Sequence, residues 1–170
     1  MLKFKEEIHL FGDDYLSPLT SAKFVPYEMK TSIIKVCSYD NKNFAGTFYN
    51  PFYKEEQHFE NLTQLLIIIE SLQEAISFPQ KSMEWRTFNK DAEKQVINIG
   101  VVGEYGKNKP LASFQVNIVF RHNASWQGSV RWLENGLETE FRSALELIFL
   151  MDSVLTDKCS VSGEVVVQTY

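Results

Sequence analysis

The residues of this 170-residue chain best suited to acid–base, nucleophilic or metal chemistry are His9, His58, His122, Cys37 and Cys159. Their spacing does not gather them. No histidine lies three or four residues from another His or Cys, the interval that brings two ligands to one side of a helix. Ser125, Ser129 and Ser143 invite a reading as hydroxyl nucleophiles with His122 as the base. Yet no third group stands ready to orient that imidazole, and no nucleophile elbow surrounds any of the three serines. The glycines of Gly100-Val-Val-Gly103-Glu-Tyr-Gly106 fit neither a P-loop nor a dinucleotide pattern and read as a strand end and turn. Glu138 and Glu140 share one strand face, but acid–base work needs a pocket around them. The reading predicts no metal and no cofactor, and it leans against an enzyme.

Binding chemistry has better candidates. Arg121, Arg131 and Arg142 fall where the outer face of one sheet region is expected, and Tyr49, Tyr53 and Trp132 are aromatics free to stack there. Bases stack on such rings, and guanidinium groups hold phosphates. Against this stands the charge. The chain carries a net −5 with a pI near 5.3, which argues against gripping nucleic acid through bulk positive charge and suits an acidic surface meeting a basic partner. The arginines have Glu138 and Glu140 close by as ion-pair partners.

Two cysteines without a Cys-x-x-Cys spacing read as free thiols of a reducing compartment. The N-terminus, Met1 to Glu7, is charged and lacks an apolar core, so the expected location is cytoplasmic. The apolar runs Leu65 to Ile69 and Leu147 to Met151 are too short to span a bilayer.

The elements that must position these residues are written twice. Shifted by 82 residues, the chain aligns with itself without a gap from 32 to 88. Asn41 falls on Asn123, Gly46 on Gly128, Phe59 on Phe141, Leu65 on Leu147 and Ser71 on Ser153. Such a repeat implies one supersecondary unit used twice about a pseudo-twofold axis. The predicted organisation is an N-terminal extension 1–31, repeat 1 over 32–88, a connecting segment 89–113 with one strand, and repeat 2 over 114–170.

Within repeat 2, Phe114–Phe120 and Trp126–Trp132 alternate as half-buried strands. Asn135-Gly136 suits a type I′ turn, and Leu137–Arg142 returns. Ser143-Ala-Leu-Glu146 is a capping box that opens a helix, matched by Asn61 and Gln64 in repeat 1. The helix stripes are Leu62, Leu65, Leu66, Ile69 and Leu72, and Ala144, Leu147, Ile148, Met151, Val154 and Leu155. Ile67, Ile68, Phe149 and Leu150 lie off the stripe, which predicts a second contact, with the sister helix or a homodimer partner. A strand should follow each helix, at 82–88 and 164–170, and Val96–Val102 reads as another. The predicted fold is α+β: two βββαβ repeats, antiparallel sheets packed on two largely buried helices. Gly46 and Gly128 should sit where a side chain would clash.

Ser125-Trp-Gln-Gly-Ser-Val-Arg-Trp-Leu-Glu134, followed by Phe141-Arg-Ser-Ala-Leu-Glu-Leu-Ile-Phe-Leu-Met-Asp152, resembles a family of small uncharacterised Gram-positive proteins, many carried by mobile elements. The resemblance covers the C-terminal third and brings no catalytic residues. It implies an antagonist of host defence, anti-CRISPR-like, binding a protein or ribonucleoprotein such as a CRISPR nuclease or its guide RNA complex. At fold level the repeat also resembles that of PUR and Whirly proteins, which implies the alternative of a single-stranded nucleic-acid-binding module.

Overall fold

The computed structural model describes residues 25–53, 55–86, 88 and 109–162. The order of elements is β1 (Thr31–Asp40), β2 (Asn43–Tyr49), β3 (Gln57–Phe59), α1 (Leu62–Ile76), β4 (Ala112–Phe120), β5 (Gln127–Trp132), β6 (Leu137–Phe141) and α2 (Ala144–Ser162), with a single 3-10 turn at Tyr27–Lys30 before β1. The six strands form one antiparallel sheet in the order β3-β2-β1-β4-β5-β6. The α+β class is as expected, with a single continuous sheet joined at its centre by β1 and β4.

Alternation decides the faces. On β1 and β4 the buried positions Ile34, Val36, Phe114, Val116 and Ile118 point to the side covered by both helices. From α1, Leu65, Ile68, Ile69, Leu72 and Ile76 join this core, and from α2, Leu147, Met151 and Leu155. The stripes read from the sequence are therefore the packed faces. The off-stripe residues divide. Ile68 is buried and Ile67 and Leu150 are half-buried, whereas Phe149 is exposed. The expectation of two largely buried helices thus holds better for α1 than for α2.

Both helices open as the capping boxes require. Asn61 Oδ1 accepts from the Gln64 amide at 3.0 Å, and Ser143 Oγ accepts from the Glu146 amide at 3.1 Å. The Gln64 and Glu146 side chains reach back one residue further than in the standard box, to the amides of Glu60 and Arg142, each at 2.7 Å.

Two expectations need correction. The loop between β5 and β6 is not a type I′ turn, because only Gly136 takes positive φ, at 69°. Pairing ends at Trp132–Leu137, and the Gly136 amide donates to the Trp132 carbonyl at 2.8 Å, closing a four-residue loop. Nor is there a strand among the described residues of 82–88. Lys81 makes an isolated parallel bridge to Arg121, the Ser82 amide donates to the Arg121 carbonyl at 3.1 Å, and regular pairing stops there. The strands expected at 96–102 and 164–170, like His9 and residues 1–24, lie outside the described residues.

Candidate functional site

Arg121 departs most from expectation. It is 5% exposed and lies on the helix side of the sheet. Its Nη2 donates to Glu70 and, at 2.7 Å, to Glu74, both on α1, and Nη1 donates to the Pro79 carbonyl at 3.4 Å. The cause is a β-bulge. Ile118 faces Gly128 and Phe120 faces Gln127, so Val119 is an extra residue and the alternation changes phase behind it. Without the bulge, Arg121 would follow Gln115 and Asn117 onto the outer face.

Glu70 is also the acceptor for two indoles, Trp126 Nε1 at 3.0 Å and Trp85 Nε1 at 2.8 Å. Glu74 is shared with Lys81 at 3.2 Å. Burial pushes the Glu74 carboxyl upward, but the hydrogen bonds from Arg121 and Lys81 outweigh it, and its pKa ends below the ordinary value. All these groups are mutually satisfied, so the cluster fastens α1 to the end of β4.

The corresponding place in the other half is more open. Tyr39 donates its hydroxyl to Asp152 on α2 and lies 3.1 Å from Thr156 Oγ1, while Lys42 Nζ reaches Asp152 at 2.8 Å and Thr156 at 3.0 Å. The bonds from Lys42 and then Tyr39 hold the Asp152 carboxyl below its usual range.

The face away from the helices carries a transverse row in direct register: Tyr49, Ile33, Gln115, Arg131 and Glu138. Of the six candidate binding residues, Tyr49 and Arg131 are exposed on this row, three inter-strand steps or about 14 Å apart. Arg131 stands directly opposite Glu138. Arg142 is exposed and its Nη2 pairs with Glu146 at 3.0 Å. Tyr53 is half-buried, edge-on to Phe48 and Phe52 at ring separations of 6.4 and 5.4 Å. Trp132 is half-buried on the helix side, opposite Phe114. The six residues are therefore spread over both faces and the core rather than gathered.

Three of the sequence's chemical candidates hold structural posts. Ser143 caps α2, and Ser125 Oγ accepts from the Ala144 amide at 3.1 Å beside it. His122 lies against Phe120, ring centroids 5.4 Å apart. Burial, then the nearby Glu56 charge, pushes the Cys37 thiol up against the smaller opposing effect of Lys35. Among the described residues no group of three His, Cys, Asp or Glu is arranged to hold a metal, and no helix is long and apolar enough to cross a membrane.

What the sequence reading did not foresee is a groove of about 310 Å³ between β5, β6 and the middle of α2. Trp132, Leu137, Thr139, Leu150 and Val154 line it over a floor of Phe114 and Val130. Leu137 is 63% exposed, and on α2 Leu145 and Phe149 are 58% and 62% exposed. The off-stripe position of Phe149 was the one hint available in the sequence. No protein-family model, curated protein or solved structure matches the chain.

Proposed function

We propose that this chain is a non-enzymatic binding protein that antagonises a host defence complex, a CRISPR nuclease or its guide RNA complex, in the cytoplasm. The observation that carries the protein-binding part of this reading is the apolar surface of the second half, where Leu137 lines the groove exposed and Leu145 and Phe149 are exposed on α2, the helix that forms one wall of it. Exposed apolar residues gathered beside a groove favour a protein partner. The acidic balance of −5 supports the same choice over bulk phosphate binding. The choice of a defence machine rests on the resemblance of Ser125–Glu134 and Phe141–Asp152 to mobile-element proteins.

The architecture serving this function, in our reading, is one unit used twice about a pseudo-twofold axis between β1 and β4. Its support is positional. Ile33 faces Gln115, its own counterpart at an offset of 82. The bulge at Cys37 matches that at Val119, and the positive-φ pair Asn41–Lys42 matches Asn123–Ala124. Among the described residues each unit contributes three strands and a helix.

The test is affinity capture from a Gram-positive host lysate with the full chain as bait, read by mass spectrometry, together with anisotropy on labelled single-stranded RNA and DNA. Enrichment of a nuclease or its guide complex, with no nucleic-acid binding by the chain alone, is the expected result. Micromolar binding to a single strand that weakens with salt and drops in Arg131→Ala would favour the nucleic-acid module instead.

A further inference from the structure

The two halves treat one position differently. Phe48 and Val130 are counterparts in the 82-residue repeat, and each lies opposite a strand residue, Gln57 and Thr139 respectively. In the first half, pairing stops at Phe48–Gln57 and the following loop folds back. Asn50, fully buried, holds that loop: its Nδ2 donates to the carbonyls of Met29 at 3.0 Å and Thr31 at 2.9 Å and to Ser32 Oγ at 3.1 Å, and its Oδ1 accepts from the Phe52 amide at 2.9 Å. This places the Tyr53 ring edge-on over Phe48. A cavity of about 20 Å³ lies between the sheet and the C-terminal part of α1, against Phe48, Leu72 and Ile76.

In the second half, pairing continues to Trp132–Leu137 and draws the loop into the tight hairpin at Gly136. The counterpart of Tyr53 is Asn135, a residue of that hairpin. Val130 is left at the floor of the 310 Å³ groove. The groove thus corresponds to a place that the first half fills with its own aromatic side chain.

The groove adjoins an edge. Among the described residues β6 is the outermost strand of the sheet, and Leu137, Glu138, Thr139 and Glu140 are all exposed. Alternation sends Thr139 towards the groove side and the carboxylates of Glu138, opposite Arg131, and Glu140 towards the other face, with Glu138 also contributing to the rim of the groove. A second copy suits this edge poorly. Antiparallel self-pairing centred on Thr139 sets Glu138 against Glu140 of the other copy twice, and like charges directly opposite are destabilising.

We propose that the outer edge of β6 receives an extended segment of the partner protein, an aromatic side chain opposite Thr139 entering the groove and a basic residue on each side of it facing Glu138 and Glu140. This is strand addition, in which main-chain bonds supply affinity and alternate side chains supply specificity. The inference rests on the protein-binding reading above and names the chemistry of what is bound.

The probe is a fluorescein-labelled peptide, Thr-Val-Arg-Phe-Arg-Val-Thr, with two controls in which both Arg become Glu or the Phe becomes Ala. Anisotropy on the full chain should show at least tenfold tighter binding of the Arg-Phe-Arg peptide than of either control. The Glu138→Lys/Glu140→Lys double variant should reverse the charge preference, and Leu150→Trp, which fills the groove, should remove the preference for Phe over Ala. Equal binding of all three peptides, or none up to millimolar concentration, overturns the proposal, as does a dimer in sedimentation that Glu138→Lys/Glu140→Lys disrupts. If a defence complex is captured equally by wild type and by the double variant, the protein-binding reading stands and the β6 edge falls. If the peptides discriminate but no such complex is captured, the edge stands and the defence reading falls.

Discussion

Tyr39 bonds Asp152 across the helix–sheet boundary, and Arg121 bonds Glu70 across the same boundary in the opposite direction. Residues 39 and 121 are counterparts in the repeat, as are 70 and 152. The second contacts keep the correspondence, since Thr156 beside Tyr39 answers to Glu74 beside Arg121. Each half therefore anchors the other half's helix, once with a neutral hydroxyl and once with a buried guanidinium.

The two anchors should differ in energy. Arg121→Ala removes the guanidinium from Glu70 and Glu74. Because Glu74 is partly exposed and keeps Lys81 while Glu70 keeps two indoles, the loss falls at or below the low end of the range of about 3–5 kcal/mol for a buried pair, at about 2–3 kcal/mol. For a chain of this size each kcal/mol lowers the melting temperature by about 2–4 °C. Tyr39→Phe removes one net hydrogen bond, about 1 kcal/mol. Thermal melts of the two variants check this, and equal losses would show that the Arg121 cluster is not an anchor.

Acid should loosen these anchors. The carboxyls of Glu74 and Asp152 are held below their ordinary values of 4.5 and 3.8. A group whose folded pKa is lowered contributes stability above its unfolded pKa and loses it as pH falls through the folded one. Stability should therefore be level in these contributions near neutrality and decline below about pH 4.5, first through Glu74. Denaturant titrations at stepped pH should show that the Glu74→Gln variant loses part of the acid-side slope.

Gly46 and Gly128 mark close strand approach. A Cβ at Gly46 would lie 1.9 Å from the Lys35 carbonyl oxygen, and one at Gly128 1.9 Å from that of Asn117. Only a shift of the neighbouring strand relieves such contact, so Ala at either position should cost about 1–3 kcal/mol, the range for overpacking. A Gly128→Ala melt equal to wild type would contradict the geometry.

The α+β class, the strands of the sheet and the two helix starts were legible from local alternation and capping residues. The capping residues Asn61 and Ser143 match at the offset of 82 in the sequence, and each caps its helix as read. Arg121 was misplaced because nothing in Phe114–Phe120 announces the extra residue at Val119, and one extra residue reverses every later side chain. The Asn135-Gly136 pair does not make a two-residue turn because Leu137 pairs with Trp132, whereas such a turn needs it opposite Glu134, a register two residues away. The groove was invisible because it arises from a difference in how far β2 and β5 stay paired, a tertiary outcome that residue types alone do not record.

The central claim, that a protein partner sits on the second half beside α2, is tested most directly by photo-crosslinking in host lysate. One bait carries Phe149→benzoylphenylalanine, exposed on α2 next in sequence to Leu150 of the groove lining, and the other Tyr49→benzoylphenylalanine, on the outer sheet face. The account predicts a crosslink from position 149 to a protein of a defence complex and none from position 49. A crosslink from position 49 alone, or to nucleic acid, or no crosslink from either, would contradict it.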